Sequence, residues 1–562
     1  MISLGQERLW FLHRLDPADP AYRVAVVRRL RGPLDAETLA DAFADVVARH
    51  ESLRTRFPDH DGLPVAVIDP PGPVPIERID LTAQDDTPRL PKDDSRLLAA
   101  ATRRLEARVN TPFELAAAPP LRVSLVRLAD DDHVLCVVLH HIIADGWSLN
   151  VLMDDLARFY AARRDGTSAD LPELTTRYGE HADAQRAAEA DVGYWTGKLG
   201  GATPLDLPTD RPRQAQRGST GGEAGFDLPP GLVAELGRLA RAERCTLFMV
   251  LLAAYQALLA RHTEQADTKQ ADTEQADIVV GVPTAGRDRP ELEPMVGLFA
   301  STLVLRGDLS GDPPFAELLR RTRRTVLEAM AHGEAPLERV LSALDIERDL
   351  SRTPLFQTMF ALHNAAVGYG EAATFAGLES RPFPHGAPPA MVDLRADLWP
   401  DGDGLHGAFF YSAELFDQPT VERLAARFRT LLASAVANPD ARLSELDVLP
   451  SEERELLLGR WNETALDVPD GTVVDLFLRQ AALRPDAVAV ECAGRAMSYA
   501  ELAERARWTA GELRARDVAA GSVVAVCLPR SAQLPASLLG VMLAGAAYVP
   551  IDPSLPADRV AG

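Results

Sequence analysis

Lysine is almost missing from this chain. Only Lys92, Lys198 and Lys269 accompany the arginines in a total of 59 basic residues, and no basic tract gathers them. Against 82 Asp and Glu the formal net charge is −23, so a phosphate backbone is repelled and nucleic acid is excluded as a partner. Cysteine is scarce as well. Cys136, Cys245, Cys492 and Cys527 lie far apart in apolar stretches, which fits reduced core thiols of a cytoplasmic protein and excludes both a disulfide framework and a zinc site. Membrane-length hydrophobic runs are absent. The run over 246–260 is too short to span a bilayer, and the one over 534–551 is broken by Pro535, Gly540, Gly545 and Pro550. The first residues show no charged lead before an apolar core, so neither a secretory signal nor a membrane anchor is expected. There is also no G-x-S-x-G elbow, Walker loop or H-E-x-x-H helix, which removes serine-hydrolase, P-loop and zincin chemistry, and no metal is expected.

What remains is a folded chain of 562 residues, 46% hydrophobic, with a length suited to three or four domains. Apolar spacing at Leu39, Phe43, Val46 and Val47 predicts an amphipathic helix over 35–50 capped by Asp35. Strands are expected over 122–128 and 133–141, then a helix over 148–164 capped by Ser148, closing a mixed α/β lobe near Asp170. A second lobe of similar grammar follows. It has a strand near Gly225, helices over 231–242 and 247–261, and strands over 278–283, 301–306 and 355–362. A hairpin turn at Asp401-Gly402-Asp403-Gly404 and a helix over 421–437 complete it. Residues 263–277 repeat TEQAD, TKQAD, TEQAD, and read as an expanded polar surface loop. A loosened linker leads to a fresh αβ unit with helices over 473–483 and 499–514 and strands over 488–492 and 523–528.

One constellation carries potential chemistry: His140-His141-Ile142-Ile143-Ala144-Asp145-Gly146-Trp147, at the end of a strand. Counting by twos, His141 shares a face with Leu139, Val137 and Leu135, and His140 shares the other with Val138, Cys136 and Val134. Adjacent histidines on a strand point apart and cannot share a metal. Both faces are apolar, so the strand is expected to be central, with each imidazole desolvated, neutral and able to accept a proton. Gly146 admits close backbone approach. Spacing and composition leave two readings open here, a reactive site or a pair of core histidines before an Asp-Gly turn.

His140 to Gly146 resembles the HHxxxDG signature of nonribosomal peptide synthetase condensation domains, within the chloramphenicol-acetyltransferase-like acyltransferases. Residues 3–12 (SLGQERLWFL), 49–57 (RHESLRTRF), 296–302 (VGLFAST) and 348–357 (RDLSRTPLFQ) resemble the family's first, second, fifth and seventh motifs. Residues 178–181 and 332–338 are loose versions of the fourth and sixth, and Ala300-Ser301 replaces the usual Val-Asn. The resemblance implies two acetyltransferase-like α/β lobes in a V-shaped pseudo-dimer, residues 1–175 and 176–440, around a tunnel. There a donor acyl thioester and an acceptor aminoacyl thioester meet, each on the 4'-phosphopantetheine arm of a carrier domain, and no cofactor is bound by this chain. It implies His141 as the key catalytic residue beside His140, Asp145 paired with a second-lobe arginine for which Arg287 is the candidate, and Gly146 keeping the tunnel clear. Asn364 and Ser301 would position substrate. The second and seventh motifs look most like the subtype taking an L-configured donor.

After a linker over 441–465, residues 466–562 resemble the N-terminal part of an adenylation domain, through 497–502 (MSYAEL) and 543–552 (LAGAAYVPID). The phosphate loop and catalytic lysine of that family are not in this sequence, so adenylation is not expected from it alone; the rest of an adenylation domain is an expected partner. Two other functions stay in view: an acyltransferase using a free amine or alcohol, and a non-catalytic condensation-like module that recruits a partner.

Overall fold

The first lobe begins with α1 (Leu4–Leu15), started by a capping box in which Ser3 accepts from the Gln6 amide and Gln6 returns the bond. Next come β1 (Arg23–Arg31) and α2 (Ala36–Arg49), with Asp35 as its cap and Leu39, Phe43, Val46 and Val47 buried on one stripe. Short strands β2 (Thr55–Arg56), β3 (Asp59–His60), β4 (Leu63–Pro64) and β5 (Val67–Ile68) pair locally, β2 with β5 and β3 with β4. Then follow β6 (Ile76–Asp80), α3 (Asp94–Val109), β7 (Leu121–Ala129), β8 (Asp132–His140) and α4 (Gly146–Asp165). The computed structural model describes residues 2–82, 94–188, 191–263, 277–344, 346, 349–363, 375–468 and 470–556.

β8 is the central strand of its sheet. Val134 to Leu139 are at most 2% exposed, as a strand apolar on both faces requires. The helix after it begins two residues earlier than expected, because Asp145 rather than Ser148 is the N-cap, accepting from the Ser148 amide at 2.8 Å. An ionised carboxylate at an N-terminus serves the exposed amides and the helix dipole better than a hydroxyl does.

The second lobe contains α5 (Tyr178–Ala187), α6 (Val192–Leu199), β9 (Gly221–Leu228), α7 (Pro230–Ala242), α8 (Leu247–Ala260), β10 (Asp277–Thr284), β11 (Ser301–Asp308), α9 (Phe315–Ala331) and α10 (Leu337–Ala343). It continues with β12 (Thr358–Leu362), β13 (Glu379–Pro382), β14 (Leu394–Asp401), β15 (Gly404–Ser412) and α11 (Gln418–Ala437). Its six-stranded sheet runs β11-β10-β12-β14-β15-β9, and Asp401 pairs with Gly404 across the expected tight turn. The apolar run over 246–260 is α8, buried from Met249 to Leu259 in this lobe's core. Among the described residues no single helix is long and apolar enough to cross a membrane; α7 and α8 pass only as a pair bent by 102°.

β13 does not join that sheet. It pairs antiparallel with β1, so the first sheet runs β13-β1-β8-β7-β6, and Phe375, Leu378 and Phe383 are buried in the first lobe's core. Leu292, Met295, Val296, Leu298 and Phe299 cross the same way. Strand order of this kind rests on long-range register, and the covered edge of β1 is protected from stray pairing. The repeat over 264–276 lies outside the described residues.

By contact, residues Met1–Glu455 form one compact unit and Leu456–Gly562 another. α12 (Ser451–Leu458) spans the division. The second unit has α13 (Val473–Leu483), the hairpin β16 (Val488–Cys492) and β17 (Arg495–Ser498), α14 (Tyr499–Arg514), and β18 (Val523–Val526) and β19 (Ala547–Pro550) paired in parallel around α15 (Gln533–Leu543).

Candidate active site

The two adjacent histidines are separated by the end of β8. His140 is its last residue, 3% exposed, set edge-on to His13 at 5.3 Å and Phe113 at 6.3 Å between ring centroids. Its Nδ1 accepts from the Ile142 amide at 3.1 Å. It does not line the cavity, which corrects its expected place beside His141 among the reacting groups: strand parity turns it into the core, where it braces the following turn. Burial, helped by nearby His13, His141 and Arg23, pushes its pKa down to about 3.

That fixes a sign. Folded His140 stays neutral down to about pH 3, whereas the unfolded residue takes a proton below 6.5, so its contribution to stability is complete above 6.5 and lost as pH falls. The expected slope is about 1.4 kcal/mol per pH unit. Urea unfolding of the wild type and His140→Phe should show the stability difference between them shrink by about 2 kcal/mol from pH 6.5 to pH 5.

His141 opens the turn. Its amide donates to Tyr22 O at 2.7 Å and its carbonyl accepts from Ala144 N at 3.4 Å; Gln6 of α1 donates to Ile142 O at 2.9 Å. Ile142, Ile143 and Ala144 are fully buried, so the turn is clamped on every side. The imidazole lines a cavity of about 410 Å³ between the lobes. Nδ1 is enclosed without a hydrogen-bond partner, which leaves Nε2 as the nitrogen that a molecule in the cavity reaches. Burial lowers the His141 pKa; the Asp145 carboxylate and the backbone of His141 and Ala144 oppose this without reversing it. The ring is therefore a neutral base at neutral pH.

Asp145 faces away from such chemistry. Its side chain and that of Arg287 are each 1% exposed, and Arg287 Nη2 donates to Asp145 Oδ1 at 3.2 Å. Oδ1 also receives the Ser148 amide at 2.8 Å and lies 2.7 Å from the Ser148 hydroxyl, while Oδ2 receives the amides of Phe299 and Ala300 at 2.9 and 3.0 Å. One carboxylate thus joins the His141 loop to the crossing segment and to a second-lobe arginine. Arg287 donates further to Leu292 O at 2.6 Å and lies over the Phe299 ring at 4.1 Å. Gly286 before it is in the left-handed region at φ 62°, and a Cβ there would sit 1.9 Å from Phe299 O, so only glycine delivers Arg287 to this place.

Gly146 and Ser301 line the cavity, Ser301 at the head of β11. Asn364 lies outside the described residues. The sequence did not single out Tyr22, Trp147, His363, Arg395 or Asp397, which also line the cavity, nor Arg8. Arg8 stands on α1 off the buried stripe of Leu9 and Trp10, and bonds Glu338 at 2.9 Å. A cation on the polar side of an otherwise inward-packed helix was the available signal. The crossing segment has its own anchor: His50, 2% exposed, is 2.8 Å from Asp155 through Nε2 and accepts from Val296 N through Nδ1 at 3.3 Å. Among the described residues no His, Cys, Asp and Glu cluster could hold a metal.

Two α/β lobes that exchange segments and meet over a buried neutral base define the class, a chloramphenicol-acetyltransferase-like acyltransferase fold. The Condensation domain family matches residues 1–458 and the AMP-binding enzyme family residues 477–562. The chain belongs to the condensation-domain family of nonribosomal peptide synthetases and runs on into the start of an AMP-binding domain. It is 39% identical over 568 residues to a linear gramicidin synthase of Brevibacillus parabrevis, covering all of this chain and 11% of that protein. The chain therefore spans a small part of the curated relatives it matches. Among solved structures, the four-domain nonribosomal peptide synthetase AB3403, bound to AMP and glycine, matches all of this chain and 42% of its own at 23% identity with a TM-score of 0.86. The X-domain from teicoplanin biosynthesis matches 80% of this chain and 97% of its own at 30% identity with a TM-score of 0.69.

Proposed function

We propose that residues 1–458 join a donor acyl or peptidyl thioester to the amine of an acceptor aminoacyl thioester, both delivered on 4'-phosphopantetheine arms of carrier domains. The observation that carries this reading is His141, neutral through burial, on the wall of a cavity of about 410 Å³ that both lobes line. That volume falls within the range of small-molecule sites. The acceptor amine attacks the donor carbonyl, forming the C–N bond as the C–S bond breaks. His141 Nε2 accepts a hydrogen bond from the amine, aims its lone pair, and takes its proton as the tetrahedral intermediate collapses; the proton then goes to the departing thiolate. Asp145, Arg287 and Gly146 hold the loop in place, and Ser301 stands where it contacts bound substrate. The L-donor subtype rests on the second and seventh motifs, and a cytoplasmic setting on the reduced cysteines.

The test uses the whole chain with one donor-loaded and one acceptor-loaded carrier domain, followed by mass spectrometry. A dipeptidyl thioester on the acceptor carrier is expected; amide or ester released from a free amine or alcohol without an acceptor carrier would replace this reading with the free-acceptor one. A recruiting role is the second reading, because the teicoplanin X-domain is also found in complex with OxyB. It would be favoured by tight capture of a partner enzyme with no product from any loaded pair.

A further inference from the structure

The second-lobe wall of the cavity carries charge that the condensation chemistry does not use. Along β14, Leu394, Ala396 and Leu398 are at most 1% exposed in the lobe's core, which turns Arg395 and Asp397 to the opposite face, into the cavity. Arg395 holds the Asp397 carboxylate with two parallel bonds, Nε to Oδ1 at 2.8 Å and Nη2 to Oδ2 at 2.5 Å. His363 Nε2 is 3.2 Å from Oδ2, and its ring stacks on Trp399 at 5.1 Å. The guanidinium lies 5.0 Å above the Phe410 ring. Asp397 is 1% exposed; burial raises its pKa, but Arg395 and His363 outweigh burial and hold it below the usual carboxylate range. The wall is therefore a fixed, internally neutral ion pair among Met359, Ala361, Leu362 and Met391.

Stability does not account for such a pair, since well-packed apolar residues in its place are often as stable or more so. A mostly apolar cavity with one ordered polar cluster is instead the usual construction of a site that chooses among ligands. Resting on the condensation reading, we propose that Arg395, held by Asp397 and His363, is a specificity determinant. It selects a substrate side chain that is neutral and ends in a hydrogen-bond acceptor, a carboxamide or hydroxyl, over a hydrocarbon of the same size. The guanidinium donates to that oxygen. A hydrocarbon would strip water from the pair and return no bond, and an anionic side chain would bring a second carboxylate against Asp397.

Binding tests this without turnover. The whole chain is titrated calorimetrically with pantetheine amides of asparagine, leucine and aspartate, in which an amide replaces the thioester. The asparaginyl compound is expected to bind at least about tenfold more tightly than the leucyl one. The double variant Arg395→Met/Asp397→Leu should bring the two within about twofold, and Arg395→Lys, which keeps the charge and loses the planar fork, should fall between. Equal binding of asparaginyl and leucyl compounds by the wild type, an unchanged preference in the double variant, a preference for aspartyl, or no binding of any of the three would overturn the assignment. Failure of the condensation reading looks different: the binding preference is present and carrier-loaded substrates still give no dipeptide.

Discussion

Replacing His141 with alanine is expected to lower kcat/KM for dipeptide formation by about 10²–10⁴-fold, the usual contribution of a positioned acid–base group. The expectation follows from placement. His141 is the one imidazole that the clamped turn turns toward the cavity, while His140 is spent on bracing that turn. The measurement is initial rate against carrier concentration, followed by mass spectrometry of the acceptor arm. Because burial sets the His141 pKa below 6.5, wild-type kcat/KM should be flat near neutral pH and fall toward acid as the lowered pKa is crossed. The alanine variant's residual rate should lack that acid limb. A variant retaining full rate with the same acid limb would remove His141 from the reaction, whatever the family resemblance.

How much of this was legible in the residues depended on the range of the interaction involved. The opposite facing of His140 and His141 follows from strand parity alone, and β8 as a central strand follows from apolar residues on both faces. The hairpin at Asp401 to Gly404 and the stripe on α2 are local patterns of the same kind. The cap of α4 was misjudged as Ser148, because a hydroxyl and a carboxylate three residues apart are both competent and only the fold shows which one meets the amides. The pairing of β13 with β1, and the burial of Leu292 to Phe299 in the other lobe, depend on chain segments far apart in sequence and left no local trace. The same holds for Arg395 and Asp397. Read along the strand, Leu394 to Leu398 alternates apolar and charged, which announces one solvent-like face without saying that this face is a substrate cavity. Arg287 was reachable only through the resemblance; Gly286, whose φ of 62° admits no ordinary side chain, is the local reason that it arrives.

Asp145→Asn is expected to destabilise the Met1–Glu455 unit by about 3–5 kcal/mol, a large part of the 5–15 kcal/mol that separates folded from unfolded domains. The substitution keeps shape and removes charge. Each carboxylate oxygen already meets only donors: Oδ1 the Ser148 amide and Arg287, Oδ2 the amides of Phe299 and Ala300. Whichever oxygen becomes NH₂, donors are brought face to face in a site 1% exposed, and Arg287 is left as a buried cation without its counter-ion. Urea unfolding measures the loss, and the double variant Asp145→Asn/Arg287→Met should regain part of it, because removing the stranded charge relieves the largest share of the penalty. An independent ion pair of the surface type would give a loss near 0–1 kcal/mol and no recovery in the double variant. That result would mean the lobes are held together elsewhere, with β13 on the edge of β1 and His50 beneath Val296 as the remaining joints.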